Sequence, residues 1–388
     1  MYIVTRYTVS EILKYFLAAL VALTLVVTPV MGVKEGLSQG FPAKVILCAM
    51  PFMLPEMLEI TIPVSLLFAI CTVFGRMTGA NEVVALKSLG ISPMAVVWPA
   101  IVVAAFLSLG TVCLYEVAAT WGKPNAMRVG LESIEKIAYG ALQKNKHFDG
   151  DQFSIGVKRI EKPAKPGDNP MLIQPYITIN GPPEISIWSE AASFYTDWQR
   201  RMLIIDCYRG SVEVDGKATV RFSSHEQFPV PLPDPAPPRY HRHYVAMRDV
   251  PELVGELQTS LRQLEGLREA NKALGVPESD DDIKRIENCR RDIRCLKAEP
   301  YRRWANGFTC LCFALIGAPV AMLWRHADVF TNFFVCFLPI LAIYYPLLMF
   351  SEGLSTSPYG TVPPIAFWMA NVSLALPAIS LLRWVIRH

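Results

Sequence analysis

Charge is scarce over long stretches of this sequence, and the motifs of common enzyme chemistry are missing. Among its 388 residues there is no HExxH and no CxxC, and the nine cysteines form no Cys/His grouping with metal-ligand spacing. The nearest approach to a phosphate-binding loop is GSVEVDGKA at 210–218. It has five residues rather than four between the glycines, Ala218 where Ser or Thr would bind magnesium, and no helix after it, so it is rejected. The net charge of +3 is too small for the basic field of a nucleic-acid binder. Without a nucleophile, base or metal constellation, an intramembrane hydrolase would rest on scattered residues such as Glu56, Glu59 and Asn371.

What is present is apolar. Hydrophobic residues make up 52% of the chain and the mean hydropathy is +0.30, while the charges concentrate in the middle third. Tyr15 to Val33 is nineteen residues without a charge, enough to cross a hydrocarbon core of about 30 Å. No small-residue cleavage site closes it, so it reads as an uncleaved first span. Val45 to Phe74 carries Pro51, Pro55 and Pro63 and is too long for one straight helix; a second span is expected in its later part, with Glu56 and Glu59 at its outer end reaching water. Met94–Tyr115, Trp304–Trp324, Val329–Phe350 and Thr361–Leu382 complete six spans in a 3+3 arrangement. Cys48, Cys71, Cys113, Cys310, Cys312 and Cys336 fall in these runs and read as small core hydrophobes.

Orientation follows from basic residues in short loops, because long domains cross largely regardless of charge. Arg6, Lys14, Arg76, Lys87, Arg325, Arg383 and Arg387 collect on one side and only Lys34 and Lys44 on the other. Both termini are thereby expected in the cytoplasm and the middle section outside. From Phe153 to Val230 short alternating runs rich in β-branched and aromatic residues, punctuated by Gly, Pro and Asp, predict an antiparallel β-domain. The proline-rich PVPLPDPAPP at 229–238 reads as a linker or edge. Residues 251–300 switch to helical period, with Val254, Leu257, Leu261, Leu264 and Leu267, then Ile283, Ile286, Ile293 and Leu296. They predict a helical hairpin whose second helix, capped by Ser279, carries Lys284, Arg285, Arg290, Arg291, Arg294 and Lys297, then Arg302 and Arg303 at the membrane edge. Those cations form either a solvated face or a site for anionic headgroups. Pairing among Cys207, Cys289 and Cys295 stays open, except that the last two, six apart on one helix, face different sides.

Between the second and third spans the block IPVSLLFAICTVFGRMTGANEVVALKSLGIS (62–92) predicts a short helix over 81–90, with Asn81 as N-cap, Glu82 in the first turn and Gly90 as the left-handed terminator.

This block, Arg6–Tyr7, and YRRWANGFTCLCFALIGAP from Tyr301 to Pro319, with a β-domain between spans three and four, resemble the LptF/LptG (YjgP/YjgQ) permease family. The resemblance implies a transmembrane subunit, not itself an enzyme, of an ABC transporter that extracts lipopolysaccharide or a related glycolipid from the inner membrane. It further implies an extracytoplasmic β-jelly-roll-like domain at 123–248 that hands the lipid to a periplasmic jelly-roll bridge protein. Spans one to three then occupy 1–122, the hairpin 249–302 and spans four to six 303–388. The expected partners are a second permease subunit, paralogue or self, and a cytoplasmic ATPase, which holds the ATP and magnesium; no cofactor is expected on this chain. Residue by residue, Glu82 matches the acidic position of the family's ATPase-coupling helix, and Arg76, Asn81, Lys87 and Gly90 lie in its pattern. Lys34 lies where members place basic residues against lipid phosphates, and Val33, Phe52, Leu66, Phe337 and Tyr344 lie in the cavity-lining spans. The hairpin is longer than the family's usual connector. A force-transmitting ABC-type protein that moves no lipid, or a scaffold without an ATPase, would share the stub and outer domain.

Overall fold

The computed structural model describes residues 2–38, 43–132, 138–140, 142–143, 146–149, 153–161, 170–179, 185–197, 202–214, 218–231, 242–274, 280–324, 329–356 and 364–387. Among the described residues six helical stretches are long and apolar enough to cross a membrane: Ile3–Leu37, Ala43–Gly79, Met94–Gly130, Asp282–Leu323, Val329–Leu354 and Ile365–Val385. The chain divides into two compact units, one of Met1–Thr28, Phe52–Lys123 and Pro238–His388, the other of Pro29–Pro51 and Pro124–Pro237.

The helices, most of whose residues belong to the first unit, are longer than the charge-free runs alone indicate. Helix α1 is Tyr2–Ser38 and α2 is Ala43–Gly79. Thus α2 runs as one 37-residue helix through Pro51, Pro55 and Pro63, a region expected to be too long for one straight helix. Proline is tolerated in such helices because neighbouring groups re-satisfy the freed carbonyls. The stub α3 is Glu82–Ser88, and α4, Met94–Val117, continues through a π-helical turn at Ala118–Gly122 into α5, Lys123–Glu132. The hairpin is α6, Val250–Ala273, and α7, Asp280–Gly307. Its seam is the expected periodic set: Val254 and Leu257 meet Ile293 and Leu296, with Cys289 buried beside them. Helix α7 does not stop at the membrane edge near 302 but continues into the fourth span, stepping at Phe308 into α8, Thr309–Leu323. Helix α9, Val329–Pro339, passes through a second π-helical turn into α10, Tyr345–Thr356, and α11 is Trp368–Arg387. The core of this unit joins Ile12 and Phe16 of α1 to Leu66, Ile70 and Phe74 of α2, with α4 and α8 closing it.

In the second unit eight strands form one antiparallel sheet: β1 His147–Asp149, β2 Phe153–Gly156, β3 Arg159–Glu161, β4 Met171–Ile173, β5 Tyr176–Ile179, β6 Ile185–Asp197, β7 Met202–Val214 and β8 Ala218–Pro231. The path is β1-β2-β5-β6-β4-β3, because β5 and β4 share one edge of the long β6, while its other edge carries β7 and then β8. Leu203, Ile205 and Cys207 alternate inward from β7 onto Ile187, Ala192 and Phe194 of β6. Tyr139 stacks on Phe194 with centroids 4.0 Å apart. Burial pushes the Cys207 thiol up to about 11. Cys207, Cys289 and Cys295 are all free thiols. Ser279, Arg325 and most of the proline-rich linker lie outside the described residues.

Candidate functional site

Two clusters of polar residues mark the first unit, one near each end of α2. Glu56 and Arg76 are twenty residues apart on that helix, which is about 30 Å at the helical rise and matches the hydrocarbon thickness.

At the Arg76 end lies the stub. Its C-terminus closes as the glycine predicts: Gly90 has φ 78°, its N–H reaches the Lys87 carbonyl at 3.0 Å, and the Ile91 N–H reaches the Leu86 carbonyl at 3.0 Å. That pair of bonds is a Schellman motif. Its N-terminus differs from expectation. Asn81 sits in the left-handed region at φ 58° and its side chain makes no cap hydrogen bond. Asn tolerates that conformation better than most residues, and it stands at the N-cap with its carbonyl accepting from the Ala85 N–H at 2.9 Å, the side chain taking no part. Val83 and Leu86, three apart, pack on the core that joins α1, α2, α4 and α8. On the other side Lys87 is exposed, as are Val84 at 39% and Leu89 at 75%, and Glu82 is half-buried. The stub is therefore anchored to the spans by one face and open on the other.

Arg76, its side chain 41% exposed, is engaged within the chain. Its guanidinium donates to Glu11 Oε2 at 2.6 Å, to the Tyr7 hydroxyl at 3.2 Å and to the Tyr15 hydroxyl at 3.2 Å, and lies 5.7 Å from the Tyr15 ring centroid. It ties the end of α2, next to the stub, to the first turns of α1. Glu11, which the sequence reading did not single out, completes the arrangement and also takes Lys14 at 2.9 Å. Its signal was there in the sequence, as the one carboxylate among the residues before the first charge-free run.

At the opposite cluster the sequence shows the cations Arg302 and Arg303 but not the partners that hold them. Arg303 is 1% exposed and its donors are all engaged: Nε to Glu299 Oε1 at 2.9 Å, one terminal nitrogen to Glu116 Oε2 at 2.8 Å, the other to the Val245 and Arg242 carbonyls at 2.8 and 3.2 Å. Arg302 forks onto both oxygens of Glu299 at 2.9 and 2.6 Å. Glu116 also accepts from the Met247 N–H, and Arg242 pairs with Glu352 on α10. This replaces both earlier readings of Arg302 and Arg303: they are neither a solvated face nor free for phosphate, because carboxylates from α4 and α7 already hold them. Lys284, Arg285, Arg290, Arg291 and Lys297 remain exposed. Glu56 pairs with Lys123 at 3.2 Å, and Tyr244, close by in the chain to Val245, has its phenol pushed up by burial.

The cavity-lining candidates separate by exposure. Lys34 and Val33 are exposed on α1. Phe52 is half-buried against Trp121 at 5.3 Å, and Phe337 stacks on Phe333 at 5.2 Å. Leu66 is fully buried, and Tyr344 is 2% exposed with its hydroxyl 2.6 Å from that of Thr309. A further motif, GLSQG at 36–40, has the G-x-S-x-G spacing of a nucleophile elbow, which requires a sharp strand-to-helix turn. Here Ser38 ends a 37-residue helix, so the spacing carries no hydrolase reading. Among the described residues no group of three or more His, Cys, Asp or Glu side chains is placed to hold a metal ion.

The model of the lipopolysaccharide export system permease LptF/LptG family matches residues 6–384. The chain belongs to that family. No curated protein matches it. The LptF/LptG match spans both membrane halves, the sheet and the hairpin. It also makes the chain a transport component of a multi-pass membrane protein family rather than an enzyme.

Proposed function

We propose that this chain is the permease subunit of an ABC transporter that extracts lipopolysaccharide, or a related glycolipid, from the inner membrane, and that α3 is its coupling helix. The observation that carries the reading is the stub, anchored through Val83 and Leu86 and open at Val84, Lys87 and Leu89, in a chain of the LptF/LptG family. Moving acyl chains through water costs about 0.8 kcal/mol per CH₂, so the lipid needs an apolar route and an external source of work. The chain has no phosphate loop, and that work comes from ATP and magnesium on a cytoplasmic ATPase docked at the open face, with Glu82 meeting one of its basic residues. Arg76 then acts within the chain, carrying displacement of the stub into α1 through Glu11, Tyr7 and Tyr15.

In this reading both termini and the stub are cytoplasmic, the spans group three and three, and the sheet is a periplasmic jelly roll facing the bridge protein. A second permease subunit completes the cavity. Lys34 is assigned to lipid phosphate and Val33, Phe52 and Phe337 to the acyl route, whereas Leu66 and Tyr344 support that wall from inside. The test is purification from mild detergent of the wild type beside Glu82→Arg. An ATPase and a second permease chain are expected with the wild type, and the ATPase is expected to be lost from the variant. Absence of any ATPase from the wild type would overturn the reading.

A further inference from the structure

A cavity of about 310 Å³ opens beside the buried ionic cluster, walled by α2, α4, α7 and α10. Its polar wall includes Glu56, Glu59, Tyr115, Lys123, Arg302 and Asn306, and its apolar wall Ile60, Pro63, Leu348 and Met349. The cations in and around this wall are each engaged by a carboxylate other than Glu59: Lys123 by Glu56, Arg302 by Glu299, Arg303 by Glu299 and Glu116, Arg242 by Glu352. Glu59 is left over. Among the described residues no basic group lies within ion-pair distance of it, and Lys123, Arg302 and Arg303 act on it only from farther away. A half-buried carboxylate at the border of the hydrocarbon is unfavourable unless something positive joins it. A second orphan lies in the same wall: Asn306, whose amide contacts the Tyr115 hydroxyl, keeps a buried Oδ1 with no donor.

The missing partner is thus a cation that also donates hydrogen bonds. A bare metal ion needs several oxygens converging at about 2.0–2.6 Å, and no set of three metal-binding side chains is present among the described residues. A primary ammonium group brings one charge and three donors, enough for Glu59 and Asn306 Oδ1 together. The cavity also reaches the outer surface of the spans, since Ile60 on α2 and Met349 on α10 are 50% and 70% exposed. An apolar lip beside an acidic pocket suits a headgroup that carries its own acyl chains.

We propose that this cavity binds the primary ammonium headgroup of a membrane phospholipid, with Glu59 as counter-ion and Asn306 Oδ1 as second acceptor. The site is independent of the exported lipid and of the ATPase, so its failure and the failure of the transport reading are distinguishable. The experiment takes the full chain with its co-purifying subunits, delipidated, and titrates it with phosphatidylethanolamine, phosphatidylcholine and free ethanolamine under native mass spectrometry. The wild type is expected to retain phosphatidylethanolamine about tenfold better than phosphatidylcholine, whose trimethylated nitrogen has no hydrogen to donate. Glu59→Gln and, separately, Asn306→Leu are each expected to lose that preference, and free ethanolamine to compete weakly. Equal retention of both lipids by the wild type overturns the proposal with no variant needed, as does an unchanged preference in both variants. Competition by free ethanolamine as strong as by the lipid overturns the lipid assignment.

Discussion

Removing the Arg303 guanidinium is the sharpest perturbation of the cluster that holds α4, α7 and the 242–249 segment together. Arg303→Met keeps the stem, leaves the Glu116 carboxylate with only the Met247 N–H, and orphans the Val245 carbonyl, whereas Glu299 retains Arg302. Breaking a fully buried pair costs about 3–5 kcal/mol, and because the stranded Glu116 is 32% exposed the cost here is expected nearer about 2–3 kcal/mol. At roughly 2 °C per kcal/mol for a chain of this size, that is a fall of about 4–6 °C in apparent Tm. Arg303→Lys is expected between the two, since a single ammonium cannot span partners that the planar fork reaches at once. Adding Glu116→Gln to Arg303→Met is expected to recover part of the loss, because the stranded charge is gone. Scanning fluorimetry on detergent-purified protein reads these three variants and the Glu116→Gln single beside the wild type. An Arg303→Met protein within about 2 °C of wild type, or a double variant worse than the sum of the singles, would refute this accounting.

Arg76→Gln is expected to change stability by less than about 1 kcal/mol, because the pair with Glu11 is part-exposed, yet to uncouple ATPase activity from lipid release in the assembled complex; loss of stability without loss of coupling would contradict its role. The Cys207 thiol, raised from its ordinary value near 9 to about 11, is neutral in the folded sheet at physiological pH. Its contribution to stability is therefore full below pH 9 and lost as pH rises through about 11, and maleimide labelling of Cys207 is expected to stay slow at pH 7–8 in native protein; rapid labelling there would show the sheet core to be open. Gly307→Ala places a methyl against the Val112 side chain and the Ser108 carbonyl, where α7 crosses α4, and is expected to destabilise by about 1–3 kcal/mol, measured by the same melting curves.

The spans, the stub and the hairpin seam were legible because each is a local periodic pattern: charge-free runs, Gly90 after a short amphipathic turn, leucines at three- and four-residue spacing. The ionic cluster was not. Glu116 and Arg303 are 187 residues apart, and only packing of α4 on α7 brings them together; in the sequence Arg302 and Arg303 look like the tail of a basic helix face. The continuity of α2 was hidden for a different reason, since proline breaks helices in water but is accommodated within a helix bundle. Asn81 shows the limit of residue preference: it stands at the N-cap as its type indicates, but in the left-handed conformation and without the side-chain bond that makes the preference.

The most direct measurement of the central claim is lipid release from proteoliposomes that contain this chain, its partner permease and the ATPase. Lipopolysaccharide is predicted to leave the membrane to an added periplasmic acceptor only with ATP, and Glu82→Arg is predicted to abolish release while leaving the permease subunits assembled. Steady ATP hydrolysis by the wild-type complex with no lipid released would contradict the account.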